Sequence, residues 1–397
     1  MAKNKISSVL LVLPWSPNLP GGVSVVVRNL VRELTNIGIS PIVVVDNWDV
    51  PVHHFDDERV LNFRFALFAT LNFRGLIKGM FIFPSRMAAT LALLREYKVS
   101  AVNFHYPNLD ALGIALLKRM GLFSGRLVLS FHGTDVRRPE SFVEKKLWRF
   151  VLNSVDGITA CSGALASQVS DAFWIDLKRV SVVYNGVDTD LFSASLSSQE
   201  VAEIRLPEQF VVSIGSYIPR KGHLVLLEAF SSIAEAFPEL HLVIVGMDGS
   251  ERQTLVDRAI ELRVNQRLIC LVGLDPGSVA SVVANAMLCV QPSFAEPFGL
   301  AVIEAGACGV LVLASAVGGH LELIADNKTG FLFPVGDSKQ CAVLIQKVLG
   351  DPDLLVKVAQ SFRREIMEHY SWENCAKGYW QLLGDGVHTS VHEIPEN

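Results

Sequence analysis

Short apolar runs recur along the whole chain, each closed by a Gly, Pro or polar turn and followed by a stretch with helical spacing. Ser8 to Leu13 is the first such run, and Pro20-Gly21-Gly22 is a turn after it. From Val23 to Gly38 the apolar residues Val26, Leu30, Val31 and Leu34 fall near helical spacing, so an amphipathic helix is expected. Strands are then expected at Ile42 to Val45, Ala101 to Phe104, Arg126 to Phe131, Gly157 to Cys161 and Val180 to Val183. A polar stretch from Ser193 to Glu203 reads as a linker. Beyond it the alternation resumes, with strands expected at Phe210 to Ile214, His241 to Val245, Leu268 to Val272, Met287 to Val290, Val310 to Ala314 and Phe331 to Phe333. Strands alternating with helices predict the α/β class with parallel, doubly wound sheets. Two such halves predict two Rossmann-like domains facing across a cleft, residues 1–195 and 205–370, with a last helix and polar tail at 371–397.

Composition narrows the class. With 397 residues there is room for two domains with full cores, and 50% hydrophobic against 19% charged residues excludes a disordered chain. A net charge of −5 argues against nucleic acid as a bulk electrostatic partner. The six cysteines are scattered without a C-x-x-C pair, which reads as small core residues in a reducing cytoplasm and not as a disulfide or zinc framework. Lys3 and Lys5 before Val9 to Leu13 imitate a signal peptide. Pro14 ends that run early, and a first Rossmann strand is the stronger reading. No run reaches the ~18 apolar residues of a membrane helix.

Candidate chemistry concentrates between residues 287 and 334. The run Met287 to Val290 leads to a loop with Glu296 and Pro297, and Phe298-Gly299-Leu300 then opens a helix that contains Glu304 and is closed by Gly306 and Gly309. A strand, a tight loop and a helix start present amide groups and the positive helix end at the edge of a sheet, a site for phosphate or a sugar hydroxyl. A carboxylate beside an anion site needs neutral hydroxyls to accept from, which ribose and sugar rings supply. Arg220-Lys221-Gly222 follows the strand ending at Ile214-Gly215, and two cations at a helix start suit a diphosphate. His132 stands at the end of the strand Leu127 to Phe131, followed by Gly133, Thr134 and Asp135; Asp135 is expected to orient it or to bind acceptor.

Glu296 and Glu304, with Pro292-Ser293, Pro297 to Leu300, Ala305, Gly309, Gly318-Gly319, Thr329 to Phe333 and Gly336-Asp337, resemble the paired-glutamate motif of retaining glycosyltransferases of the GT-B fold, family four or glycosyl transferase group 1. The resemblance implies transfer of a sugar from a nucleoside diphosphate sugar to a hydroxyl of a glycan or lipid-linked acceptor, with retention and without a metal or other cofactor. It implies Glu304 on the ribose, Glu296 over the donor sugar, the amides of Phe298, Gly299 and Leu300 on sugar and phosphate, and Lys221 on the diphosphate. Where the family has an Arg directly after Gly215 this chain has Ser216, and Arg220 is the candidate to replace it. Gly21 and Gly22 are similar to the family's N-terminal glycine loop, His132 to the residue beside the reacting centre, and Asn185-Gly186-Val187-Asp188 to the signature closing the first domain. The segment from Tyr370 to Leu383 is similar to a closing helix that crosses back to that domain.

Alternatives remain at this level: a silent relative that only binds a nucleotide sugar or partner, an epimerase, or a phosphorylase on the same fold. Asp188-Thr-Asp190 and Asp351-Pro-Asp353 imitate metal motifs and read as turns or caps. Between Arg59 and Arg95, six basic residues and no acidic one interleave with six phenylalanines, which suits peripheral contact with an anionic membrane at its cytoplasmic face; an ordinary Rossmann helix is the competing reading. Acceptor loops are expected within residues 46 to 110, in lipopolysaccharide, capsule or exopolysaccharide assembly.

Overall fold

The computed structural model describes residues 8–47, 60–67, 73–194, 200–201 and 204–384. Two compact units emerge. The first runs to Tyr184 and includes the helix Trp372–Leu383; the second spans Asn185–Ser371.

In the first unit, β1 (Ser8–Leu13), β2 (Pro41–Val45), β3 (Val60–Asn62), β4 (Val99–His105), β5 (Arg126–Phe131), β6 (Gly157–Ala160) and β7 (Val180–Val182) form one parallel sheet in the order β3-β2-β1-β4-β5-β6-β7. Every residue of β1 is buried, because it lies between β2 and β4 with helices over both faces. The run that imitates a signal peptide is therefore a central strand. Helix Gly22–Asn36 buries Val26, Val27, Leu30, Val31 and Leu34 on one face. The helix Trp372–Leu383 packs against that helix and against β4 and β5, burying Trp372, Cys375, Tyr379 and Leu383.

In the second unit, β10 (Phe210–Ile214), β11 (His241–Gly246), β12 (Leu268–Val272), β13 (Leu288–Gln291), β14 (Val312–Ser315) and β15 (Phe331–Phe333) form a parallel sheet in the order β12-β11-β10-β13-β14-β15. A small antiparallel pair, β8 (Glu200–Val201) with β9 (Ile204–Arg205), straddles the end of the stretch read as a linker; residues 195–199 and 202–203 lie outside the described residues. Its polar composition hides it, as it also hides the three-residue edge strand β3.

Two boundaries move for identifiable reasons. Helix Leu300–Ala307 is closed by Gly309 alone: the amides of Gly309 and Val310 bond back to Gly306 and Ala305, so Val310 belongs to the helix end and β14 starts at Val312. Gly306 instead sits inside the helix, where a side chain would collide with Phe362 of helix Pro352–His369.

Candidate active site

Strand order reverses between β10 and β13 in the second unit, and ligands of such sheets bind outside the carboxyl ends of strands at that point. The loop after β10 carries Arg220 and Lys221, and the loop after β13 carries Ser293 and Glu296. Val211 pairs with Leu288 and Val212 with Cys289, so the two loops emerge side by side although Lys221 and Glu296 are 75 residues apart.

The loops are locked by backbone contacts. The Phe294 amide donates to the Arg220 carbonyl at 2.8 Å, and Gly222, at φ 69°, approaches the Pro292 carbonyl so closely that a Cβ would overlap it. The Gly319 amide donates to the Glu296 carbonyl at 3.0 Å. Side chains at Gly318 and Gly319 would strike the carbonyls of Glu296 and Phe298. The Lys221 stem crosses Gly215, whose Cβ would lie 3.1–3.2 Å from it.

Lys221 Nζ consequently meets Glu296 Oε2 at 2.6 Å, with 16% and 12% of the two side chains exposed. Ser293 Oγ donates to the same carboxylate oxygen at 3.4 Å. Burial pushes the Glu296 carboxyl up, but Lys221, His320 and Arg220 together outweigh it and hold it below the usual glutamate range. Glu304, one turn into helix Leu300–Ala307, is pushed up to about 7 by burial, with Lys221 opposing. Gly299, at φ 119°, is the N-cap of that helix, and the Leu300 and Ala301 amides lie in its first turn, ahead of the first i→i−4 bond made by Ile303. Phe298 is a core side chain against Tyr370. The site thus gathers two carboxylates of opposite tendency, a lysine, an arginine and a helix start.

Other predicted residues fall elsewhere. Asn185 begins the second unit, buried, with Oδ1 lacking a hydrogen-bond partner. Asp188 Oδ1 accepts from the Asp190 and Leu191 amides and Asp351 Oδ1 accepts from the Leu354 amide, as a turn and a cap. In the first unit, Gly21 precedes helix Gly22–Asn36 with φ 153° and ψ 155°, backbone open to glycine, and a Cβ there would meet nothing within 4 Å. His132 ends β5 as expected. Asp135, however, does not reach its ring: its carboxylate accepts from the backbone amides of His132 and Gly133 at 2.6–3.0 Å and so shapes the loop.

Sequence reasoning missed His320 and His105. His320 is buried, with Nδ1 3.0 Å from the Ser315 carbonyl, and its signal was its place directly after Gly318-Gly319. His105 ends β4, the strand beside β5, and its Nδ1 lies 3.1 Å from His132 Nε2; only strand pairing could show it.

Two doubly wound α/β units, one with a cation–carboxylate site beside a helix start at its switch point, match the GT-B fold class. Family models agree in both halves: glycosyltransferase family 4 matches residues 20–191 and glycosyl transferases group 1 matches residues 197–365. The chain belongs to this family. D-inositol 3-phosphate glycosyltransferase of Mycobacteroides abscessus is 32% identical over 259 residues, 63% of this chain; the matched segment spans 56% of that enzyme's length. The fold also matches a glycosyltransferase from Rickettsia africae, with TM-score 0.79, 20% identity and coverage of 96% of this chain and 100% of that one. HepE of Anabaena, solved in complex with UDP and glucose, superposes with TM-score 0.72 and 19% identity over 94% and 98% of the two chains.

Proposed function

We propose that the protein transfers a hexosyl group from a nucleoside diphosphate sugar to an acceptor hydroxyl with retention, in assembly of a cell-surface glycan or glycolipid. The observation that carries this reading is the Lys221–Glu296 pair at the β10/β13 switch point, beside the start of helix Leu300–Ala307. A diphosphate entering there takes over the Lys221 ammonium, aided by Arg220, and releases the Glu296 carboxylate to accept from sugar hydroxyls. Fixed cations and helix amides act where charge develops on the leaving diphosphate, the place where preorganised electrostatics contribute most. Glu304, once ionised, accepts from the ribose hydroxyls. Retention follows from the family resemblance, and on this reading no metal takes part.

On the same reading the first unit supplies the acceptor loops and, at its strand ends, His132 for the donor sugar and Gly21-Gly22 for the donor phosphate. A lipid-linked acceptor would bring that unit to the cytoplasmic surface of a membrane. Met80 and Phe81 on helix Phe73–Glu96 are 73% and 84% exposed, side by side with exposed Ile82, which supports such contact. Arg59 and Phe68 of the same basic segment lie outside the described residues. No helix among the described residues is long and apolar enough to cross a membrane.

The test is a thermal-shift panel of UDP, GDP, ADP and their sugars, followed by NMR of the anomeric proton in the transferred product. A ligand of the folded state at a hundred times its dissociation constant adds about 2.7 kcal/mol of stability. The expected result is a shift with one nucleotide class, UDP first because HepE holds it, and a product anomer matching the donor. Absence of any shift, or an inverted anomer, overturns the reading.

A further inference from the structure

A line of buried polar groups runs through the first unit from Ser130 to His132, under the helix Trp372–Leu383. Tyr379, fully buried on that helix, packs its ring against His105, centroid to centroid 5.5 Å. Ser130 Oγ donates to Asn103 Oδ1 at 2.8 Å. Asn103 Nδ2 lies 3.0 Å from His105 Nε2, and His105 Nδ1 lies 3.1 Å from His132 Nε2. Asn103, His105 and Ser130 are completely enclosed, on neighbouring strands β4 and β5.

Counting protons gives the line a direction. Ser130 has one hydroxyl proton, and it is committed to Asn103. The Asn103 nitrogen can only donate, so His105 Nε2 is an acceptor and carries no proton. Burial lowers the affinity of His105 for a second proton well below the ordinary histidine range, and the neighbouring His132 lowers it further; burial pushes His132 down to about 4. Both rings are therefore neutral at pH 7. A neutral His105 with bare Nε2 has its proton on Nδ1 and donates it to His132 Nε2. That leaves the His132 proton on Nδ1, which makes no other hydrogen bond among the described residues.

We propose that Ser130, Asn103 and His105 are positioning residues that polarise this line in one direction and hold His132 as the Nδ1–H tautomer, a hydrogen-bond donor to an oxygen of the transferred sugar. The final clause rests on His132 standing at the donor sugar, as in the function proposed above. His132 acts by donation through a neutral ring and is excluded as a proton carrier.

The test is long-range 1H–15N NMR of the histidine rings in the full-length protein at pH 7, with peaks assigned through His105→Asn and His132→Asn. The expected spectrum has protonated Nδ1 and bare Nε2 on both rings; protonated Nε2 on either ring, or an imidazolium, overturns the proposal without any variant having to fold. The second arm is Asn103→Asp. A carboxylate accepts where the amide nitrogen donated, so both rings should switch to protonated Nε2. Turnover should fall about 10- to 100-fold, the effect of losing one aimed donor, with KM for the donor little changed. Rings that keep their tautomers in this variant overturn the relay. Rings that switch while turnover holds overturn the placement of His132 at the sugar, and with it the final clause.

Discussion

The Lys221–Glu296 pair can be tested through both stability and catalysis. At 2.6 Å the two charges attract by about 6 kcal/mol at an effective dielectric of about 20, before desolvation is counted. Removing one partner of a fully buried pair costs roughly 3–5 kcal/mol, and with 12–16% of these side chains still exposed we expect about 2–3 kcal/mol from Lys221→Met or Glu296→Gln alone. In a unit of this size that is about 5–10 °C in Tm. The double variant leaves no charge stranded and should be more stable than the sum of the singles predicts, with a coupling of about 1–2 kcal/mol in a double-mutant cycle. Catalysis should separate the partners. Lys221→Met removes the diphosphate's cation, weakening nucleotide binding and lowering kcat/KM by about 10²–10³-fold, or roughly 3–4 kcal/mol. Glu296→Gln should lose comparable turnover but bind nucleoside diphosphate as well as the wild type or better, because Lys221 no longer has to leave a carboxylate. Calorimetric titration with the nucleotide found in the panel decides it. Equal loss of nucleotide affinity in both single variants, or strictly additive stabilities, would refute the exchange of Lys221 between Glu296 and the diphosphate.

Three further outcomes follow from buried acids and exposed apolar groups. Glu304 holds its proton up to about pH 7, so nucleotide affinity should rise as pH rises through 7, and Glu304→Gln should flatten that dependence in titrations at pH 6 and 8. Asp46, after β2, is raised to about 8, by burial first and then by the Asp110 charge. A carboxyl that keeps its proton when folded but loses it near pH 4 when unfolded binds more protons in the native state, so stability falls as pH rises from about 4 to about 8; Asp46→Asn should reduce that slope in urea melts. Finally, Phe81→Ser should weaken co-sedimentation with anionic vesicles and leave turnover on a water-soluble acceptor unchanged, whereas equal sedimentation of variant and wild type would remove the membrane contact.

The strands legible in the sequence are short, mostly apolar runs closed by turn or polar residues. Val9 to Leu13 is continuous and Phe210 to Ile214 is broken only by Ser213, because both sheet faces are covered, and such runs are the strongest local signal a parallel sheet leaves. β3 and the β8–β9 pair carry two or three residues in polar surroundings and leave none. Within the site, Glu296, Glu304 and Lys221 were legible because each lies in a loop or helix start whose glycines and prolines announce it. His320 was passed over, since a histidine after two glycines says little until the glycines are seen packed on the Glu296 loop.

Local sequence determined which segments become strands and helices, and which residue types stand at strand ends; these depend on periodicity and turn chemistry within a dozen residues. Sheet order decided the rest. β10 lies beside β13 and β4 beside β5, and only that adjacency brings Lys221 to Glu296 across 75 positions and His105 to His132 across 27. An ion pair forms, and a ring tautomer is set, when groups come within about 3 Å, a separation that no spacing along the chain encodes.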